Sequence, residues 1–144
     1  MGNSVEVVVS NESGLAQEIR SNGHTWQSDE PLPLGTDKGP SPYELLLSSL
    51  GACTSMTLRL YASRKQWDLQ GVSVRLKHYR VHADDCMNCD TKEGFLDRID
   101  RNIELIGNLD DAQKNRLLEI AERCPVHRTL TSRIDIRTRL EPIT

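Results

Sequence analysis

The sequence predicts an α+β fold in a single domain spanning residues 1–144, and three observations carry that expectation. Residues from Pro42 to Lys65 have the caps and the uncharged middle of a long helix, short β-branched or alternating runs stand on both sides of it, and a second amphipathic run stops at a proline. A chain of 144 residues is long enough to bury one core without disulfide or metal staples.

Val5 to Val9 is short and β-branched, and Leu15 to Arg20 is a second strand-like run that leads into Ser21-Asn22-Gly23. A hairpin is expected there, with His24 to Ser28 as a third strand. Asp29 to Pro42, with four prolines and two glycines, reads as an irregular connection delivering the chain to the helix. At the helix start Ser41 is the expected N-cap, and Pro42 suits the first position, where a missing N–H costs nothing. Glu44 closes an S-x-x-E capping box. No charge occurs from Leu45 to Leu58, and Leu46, Leu50, Cys53, Thr57 and Leu60 recur at spacings of four and three, which turns Cys53 inward. Leu45, Leu47, Met56 and Leu58 lie off that stripe, so the helix needs packing partners on several sides. Arg64 and Lys65 in the last turn complement the negative end of the helix dipole.

Beyond the helix, Val72, Val74, Leu76 and His78 alternate with Ser73, Arg75, Lys77 and Tyr79, the pattern of a half-buried strand. Residues 84 to 92 are turn-like, and Phe95 to Ile106 supplies a partner strand. Asp110 or Asp111 caps a helix whose Leu117, Leu118, Ile120, Ala121 and Cys124 share a face, and Pro125 stops it. Leu130 to Leu140 reads as a closing strand with Ile134 and Ile136 on one face.

A net charge of -3 and a pI near 5.8 provide no basic field, and no Lys/Arg cluster is interleaved with aromatics, so nucleic acid is not an expected partner. The longest uncharged run falls short of the roughly 20 residues of a spanning helix. The N-terminus has neither a basic nor an apolar leader region. A soluble, cytoplasmic protein with no membrane partner is expected. In such a setting four cysteines point to reactive or metal-binding thiols before structural disulfides.

Cys124 is followed by Pro125-Val126-His127-Arg128, so it is placed to cap a new helical turn, where the positive dipole end favours a thiolate. Cys53 and Cys124 read from composition alone are equally well small buried hydrophobes. The segment Gly39-Pro-Ser-Pro-Tyr-Glu-Leu-Leu-Leu-Ser-Ser-Leu-Gly-Ala-Cys53, followed 71 residues later by Cys124-Pro-Val, resembles the OsmC/Ohr family of osmotically inducible protein C and organic hydroperoxide resistance proteins. The resemblance extends to the order of elements over nearly the whole chain. It implies an OsmC-like fold, two central helices flanked by antiparallel sheets in an intertwined homodimer. It also implies an antioxidant, thiol-dependent reduction of organic hydroperoxides in the oxidative stress response. Cys53 then corresponds to the peroxidatic cysteine and Cys124 to the resolving one, with an external dithiol as reductant and no cofactor. Proficient peroxidases of the family place a glutamate straight after the helix-opening proline and an arginine on an early strand. Here Tyr43 holds the first place, Glu44 comes one later, and Arg20 is the only early arginine. Glu44 and Arg20 are therefore the candidate catalytic partners by resemblance, a capping glutamate and a solvated arginine by their local context.

His78, His82, Cys86 and Cys89 form H-x3-H-x3-C-x2-C, outside what the resemblance explains. The four residue types make a tetrahedral zinc set, but two histidines four apart on a regular strand are about 13 Å apart, too far for one ion without a bend or a partner chain. A redox or disulfide pair and plain loop cysteines are the other readings of Cys86 and Cys89. The alternatives to a peroxidase are thus a non-catalytic OsmC-like dimer holding an apolar ligand, and a zinc or redox-sensing module.

Overall fold

The computed structural model describes residues 4–82, 85 and 94–142, and the chain divides into two compact units, Met1–Ser48 and Ser49–Thr144. In the first unit β1 (Val8–Ser10), β2 (Gln17–Ser21) and β3 (His24–Ser28) form an antiparallel sheet in the order β1-β2-β3. Asn22 and Gly23, both at positive φ, close the β2–β3 turn and set the register Ile19↔Trp26, as an Asn-Gly hairpin requires. Ile19 is buried, whereas Val5 and Val7 lie exposed ahead of a β1 shorter than the β-branched run suggests.

The connection from β3 is organised by a buried carboxylate. Asp29 is 2% exposed, and it accepts hydrogen bonds from the amides of Glu30, Thr36 and Lys38 and from the Thr36 hydroxyl, the last at 2.6 Å. Those bonds hold the carboxyl of Asp29 below its ordinary range, the Thr36 hydroxyl contributing most. Ser28 Oγ and the Asp29 amide both donate to the Pro40 carbonyl, which brings the loop back against β3. A side chain at Gly39 would run into the Gln27 carbonyl, so the close approach needs glycine there.

The loop ends at α1 (Pro42–Lys65). Ser41 Oγ accepts from the Glu44 amide at 3.3 Å while Glu44 accepts from the Ser41 amide at 3.2 Å, so the expected capping box is formed.

The second unit holds the rest of α1, the antiparallel hairpin of β4 (Asp68–His82) and β5 (Phe95–Asn108), and the helices α2 (Asp111–Ala121) and α3 (Pro125–Leu130). Asp110 caps α2 in a second capping box, with Gln113. The core joins Leu58 and Ala62 of α1 to Leu109, Leu117, Ile120 and Ala121, with Tyr61, Trp67, Val72 and Ile103 packed against them. At Gly51 a Cβ would stand 2.8 Å from Leu76 Cδ1, so glycine lets the helix approach the strand.

Three expectations change here. The buried face of α1 is Leu50, Thr54, Leu58 and Ala62; Leu46 and Leu60 are exposed, and Cys53 sits half-buried on the flank. Thr54 tolerates full burial because its hydroxyl returns to the Leu50 carbonyl at 2.7 Å. Leu118 likewise faces outward from α2. Residues 130 to 140 form no strand: α3 takes Leu130, and residues 133–142 have no regular structure. Alternation marks a strand only where a ladder receives it, and among the described residues none pairs with Ile134 or Ile136, both exposed.

Candidate functional site

α2 stops at Ala121, and Cys124, in an extended conformation, becomes the N-cap of α3 with Pro125 behind it. Its Sγ accepts from the His127 amide at 3.3 Å, and the residue is wholly buried. The Cys53 thiol, from α1, lies close enough to Cys124 to be influenced by it, and both thiols are free. Burial pushes the Cys53 thiol above its ordinary pKa. The Val126 amide pulls it back, the neighbouring Cys124 raises it again, and the Thr57 hydroxyl lowers it slightly. The start of α3 therefore places the His127 N–H on the Cys124 sulfur and the Val126 amide where it favours the Cys53 thiolate.

Beside the pair stands a charge network. On β5, Ile99, Arg101, Ile103 and Leu105 share the inward phase while Asp100, Asn102 and Glu104 face out. Arg101 thus enters the unit among apolar residues, with its side chain 10% exposed. Its guanidinium donates to Thr54 Oγ1 and to His127 Nδ1, each at 3.1 Å, and lies 3.8 Å from Glu122. A guanidinium has only donors, so Nδ1 of His127 must accept; in the neutral ring Nε2–H then donates to Glu122 Oε2 at 3.1 Å. A cavity of about 360 Å³ opens next to this network, bordered by Leu50, Ile99, Arg101, Glu122, His127 and Leu130. Its walls mix aliphatic surface with a few convergent polar groups, as small-molecule sites do.

Of the residues singled out in the sequence, Cys53 and Cys124 are brought together. Glu44 is engaged in the α1 capping box, and Arg20 lies exposed on β2 in an ion pair with Glu18. His78 contacts Asp97 at 2.8 Å, and His82 packs edge-on against Phe95. β4 keeps its register with β5 from Gly71 to His82, so no bend draws the two histidines together. Cys86 and Cys89 lie outside the described residues. Among the described residues no group of three or more His, Cys, Asp or Glu is placed to hold a metal ion. Sequence reading missed Arg101, Thr54 and Glu122. The available signal was an arginine in the apolar phase of a strand that otherwise reads Ile99, Ile103, Leu105.

Residues 35–139 match the profile of the family described as OsmC-like protein. The chain belongs to that family. Among solved structures, the OsmC-like protein from Mycoplasma pneumoniae is 22% identical with a TM-score of 0.74, over 90% of this chain and 89% of that one. An organic hydroperoxide resistance protein OsmC from Legionella pneumophila is 17% identical with a TM-score of 0.64, over 90% of each chain. The organic hydroperoxide resistance protein OhrB of Bacillus subtilis is 18% identical with a TM-score of 0.62, over 92% of this chain and 94% of that one. These likenesses establish the OsmC-like fold that the two cysteine motifs suggested. No curated protein matches the chain by sequence.

Proposed function

We propose that this OsmC-like protein is a thiol-dependent peroxidase for organic hydroperoxides, with Cys53 attacking and Cys124 resolving. The observation that carries the reading is the proximity of two free thiols whose elements lie far apart in the sequence. The Cys53 thiolate attacks the hydroxyl oxygen of the hydroperoxide and the O–O bond breaks. The alkoxide leaves, takes a proton and becomes an alcohol, and Cys53 is left as a sulfenic acid. Cys124 then attacks that sulfur: an S–S bond forms, the S–O bond breaks, and the hydroxyl leaves as water with the proton of Cys124. An external dithiol returns both thiols by exchange. Leu50, Ile99 and Leu130 give the neighbouring cavity, bordered also by Asp97, Arg101 and Glu122, aliphatic surface that an alkyl peroxide can use. Organic hydroperoxide resistance in the names of the Legionella and Bacillus proteins agrees with this chemistry.

The reading includes a homodimer of one domain, residues 1–144, in the cytoplasm, where thiols are kept reduced. Met56 and Leu60, 65% and 60% exposed on α1, support an apolar partner surface. No described helix is long and apolar enough to cross a membrane. Resemblance names Glu44 and Arg20 as catalytic partners, but the steps above require neither: Glu44 closes the α1 cap and Arg20 pairs with Glu18. Steady-state consumption of cumene or tert-butyl hydroperoxide with a dithiol tests the function. Turnover is expected in the wild type, none in Cys53→Ser, and a single oxidation event without recycling in Cys124→Ser. Turnover surviving in Cys53→Ser, or none in the wild type, overturns it.

A further inference from the structure

The two half-reactions make different demands, and the network beside the thiols meets one of them. At Cys53 it is the Val126 amide and the Thr57 hydroxyl that favour the thiolate. Arg101 instead reaches Thr54, whose Oγ1 lies 3.9 Å from the sulfur of Cys124. A threonine hydroxyl has one hydrogen, shared between the Leu50 carbonyl at 2.7 Å and the sulfur of Cys124, while Arg101 donates to its oxygen. Arg101 polarises that hydroxyl, which then donates more strongly to the Cys124 sulfur as negative charge builds there. His127 completes the arrangement, fixing Arg101 through its ring and Cys124 through its backbone amide.

We propose that Arg101, acting through Thr54, is a positioning residue for the resolving step: it orients Cys124 and stabilises the negative charge that builds on that sulfur as it attacks Cys53. The inference rests on the peroxidase reading and assigns a role within it that resemblance gives to no residue. The guanidinium is nearly buried and held from three directions, so it acts in a poorly screened setting without having to reorganise. As the S–S bond forms, the Cys124 proton departs with the sulfenic hydroxyl as water, and the cation one hydroxyl away favours the sulfur that is losing it. The effect of Arg101 is therefore expected on disulfide closure more than on the oxidation of Cys53.

The two steps separate in a single-turnover experiment. Wild type, Arg101→Met, Arg101→Lys and Thr54→Val are mixed with one equivalent of cumene hydroperoxide, quenched with a thiol-blocking reagent, and the Cys53 sulfenic acid and the Cys53–Cys124 disulfide are followed by mass spectrometry. In Arg101→Met, Cys53 oxidation is expected to proceed while disulfide closure slows about tenfold, the equivalent of one charge-assisted hydrogen bond. Excess peroxide should then over-oxidise Cys53. Arg101→Lys restores part of the closure rate. Thr54→Val, close in shape, slows closure by itself and adds little to Arg101→Met; it also decides the matter if Arg101→Met does not fold. Closure at the wild-type rate in Thr54→Val or Arg101→Met, or an equal loss in both steps, overturns this inference and leaves the peroxidase reading standing. Failure of wild-type Cys53 to oxidise removes both.

Discussion

Asp29 and Arg101 are both charged side chains withdrawn from water, yet they are satisfied in opposite ways. Asp29 takes its hydrogen bonds from Glu30, Thr36 and Lys38, none more than nine residues away. Arg101 takes its own from Thr54 and His127, 47 and 26 residues away, on two different helices. A carboxylate closed by its own loop fixes backbone and does nothing else. A guanidinium bonded to Thr54, whose hydroxyl lies 3.9 Å from the Cys124 sulfur, is placed to act on that thiol. Burial of charge is thus the same cost met in two ways, for loop architecture in one unit and, in the proposed function, for chemistry in the other.

The largest effect expected from breaking this contrast is on stability at Asp29. Asn at that position turns an NH2 group toward amides that need an acceptor, so Asp29→Asn should lower the thermal midpoint more than any other surface or loop change named here, while the folded variant keeps its Cys53 and Cys124 chemistry. The sign of its pH dependence is fixed. The folded carboxyl lies below its ordinary value, so its stabilisation is fully present above that value and is lost as pH falls through the lowered one. Acid titration of thermal stability should lose part of that limb in Asp29→Asn. An unchanged midpoint and an unchanged acid limb together would show that the loop does not depend on this carboxylate.

How much of this was readable before folding follows the same division. The α1 capping box, the Asn-Gly turn, the alternation of β4 and the Asp110 cap were legible because each is a signal among neighbours. The pairing of Cys53 with Cys124 was legible only through the family motifs. Thr54 lies off the stripe of Leu46, Leu50, Cys53, Thr57 and Leu60 that the spacing turns inward, yet it is buried, because a threonine that bonds its own helix meets no penalty there. Leu130 reads as the start of a strand, but the helix that Cys124 and Pro125 begin extends to it. Arg101 stayed hidden because its partners are long-range, and nothing local says which hydroxyl an inward arginine will find.

Glu44 gives the smallest and sharpest comparison. Gln also closes a capping box, so Glu44→Gln should change stability by well under the roughly 1 kcal/mol that losing a cap costs, and should leave peroxide turnover intact. A steep loss of turnover with stability unchanged would instead assign the Glu44 carboxylate to the reaction.

The central claim, that Cys53 and Cys124 are one redox pair, is tested most directly by mass spectrometry of the wild-type protein after a single equivalent of organic hydroperoxide. A Cys53–Cys124 disulfide, with Cys86 and Cys89 still reduced, is the expected product. A Cys86–Cys89 disulfide with Cys53 still a free thiol would contradict the account.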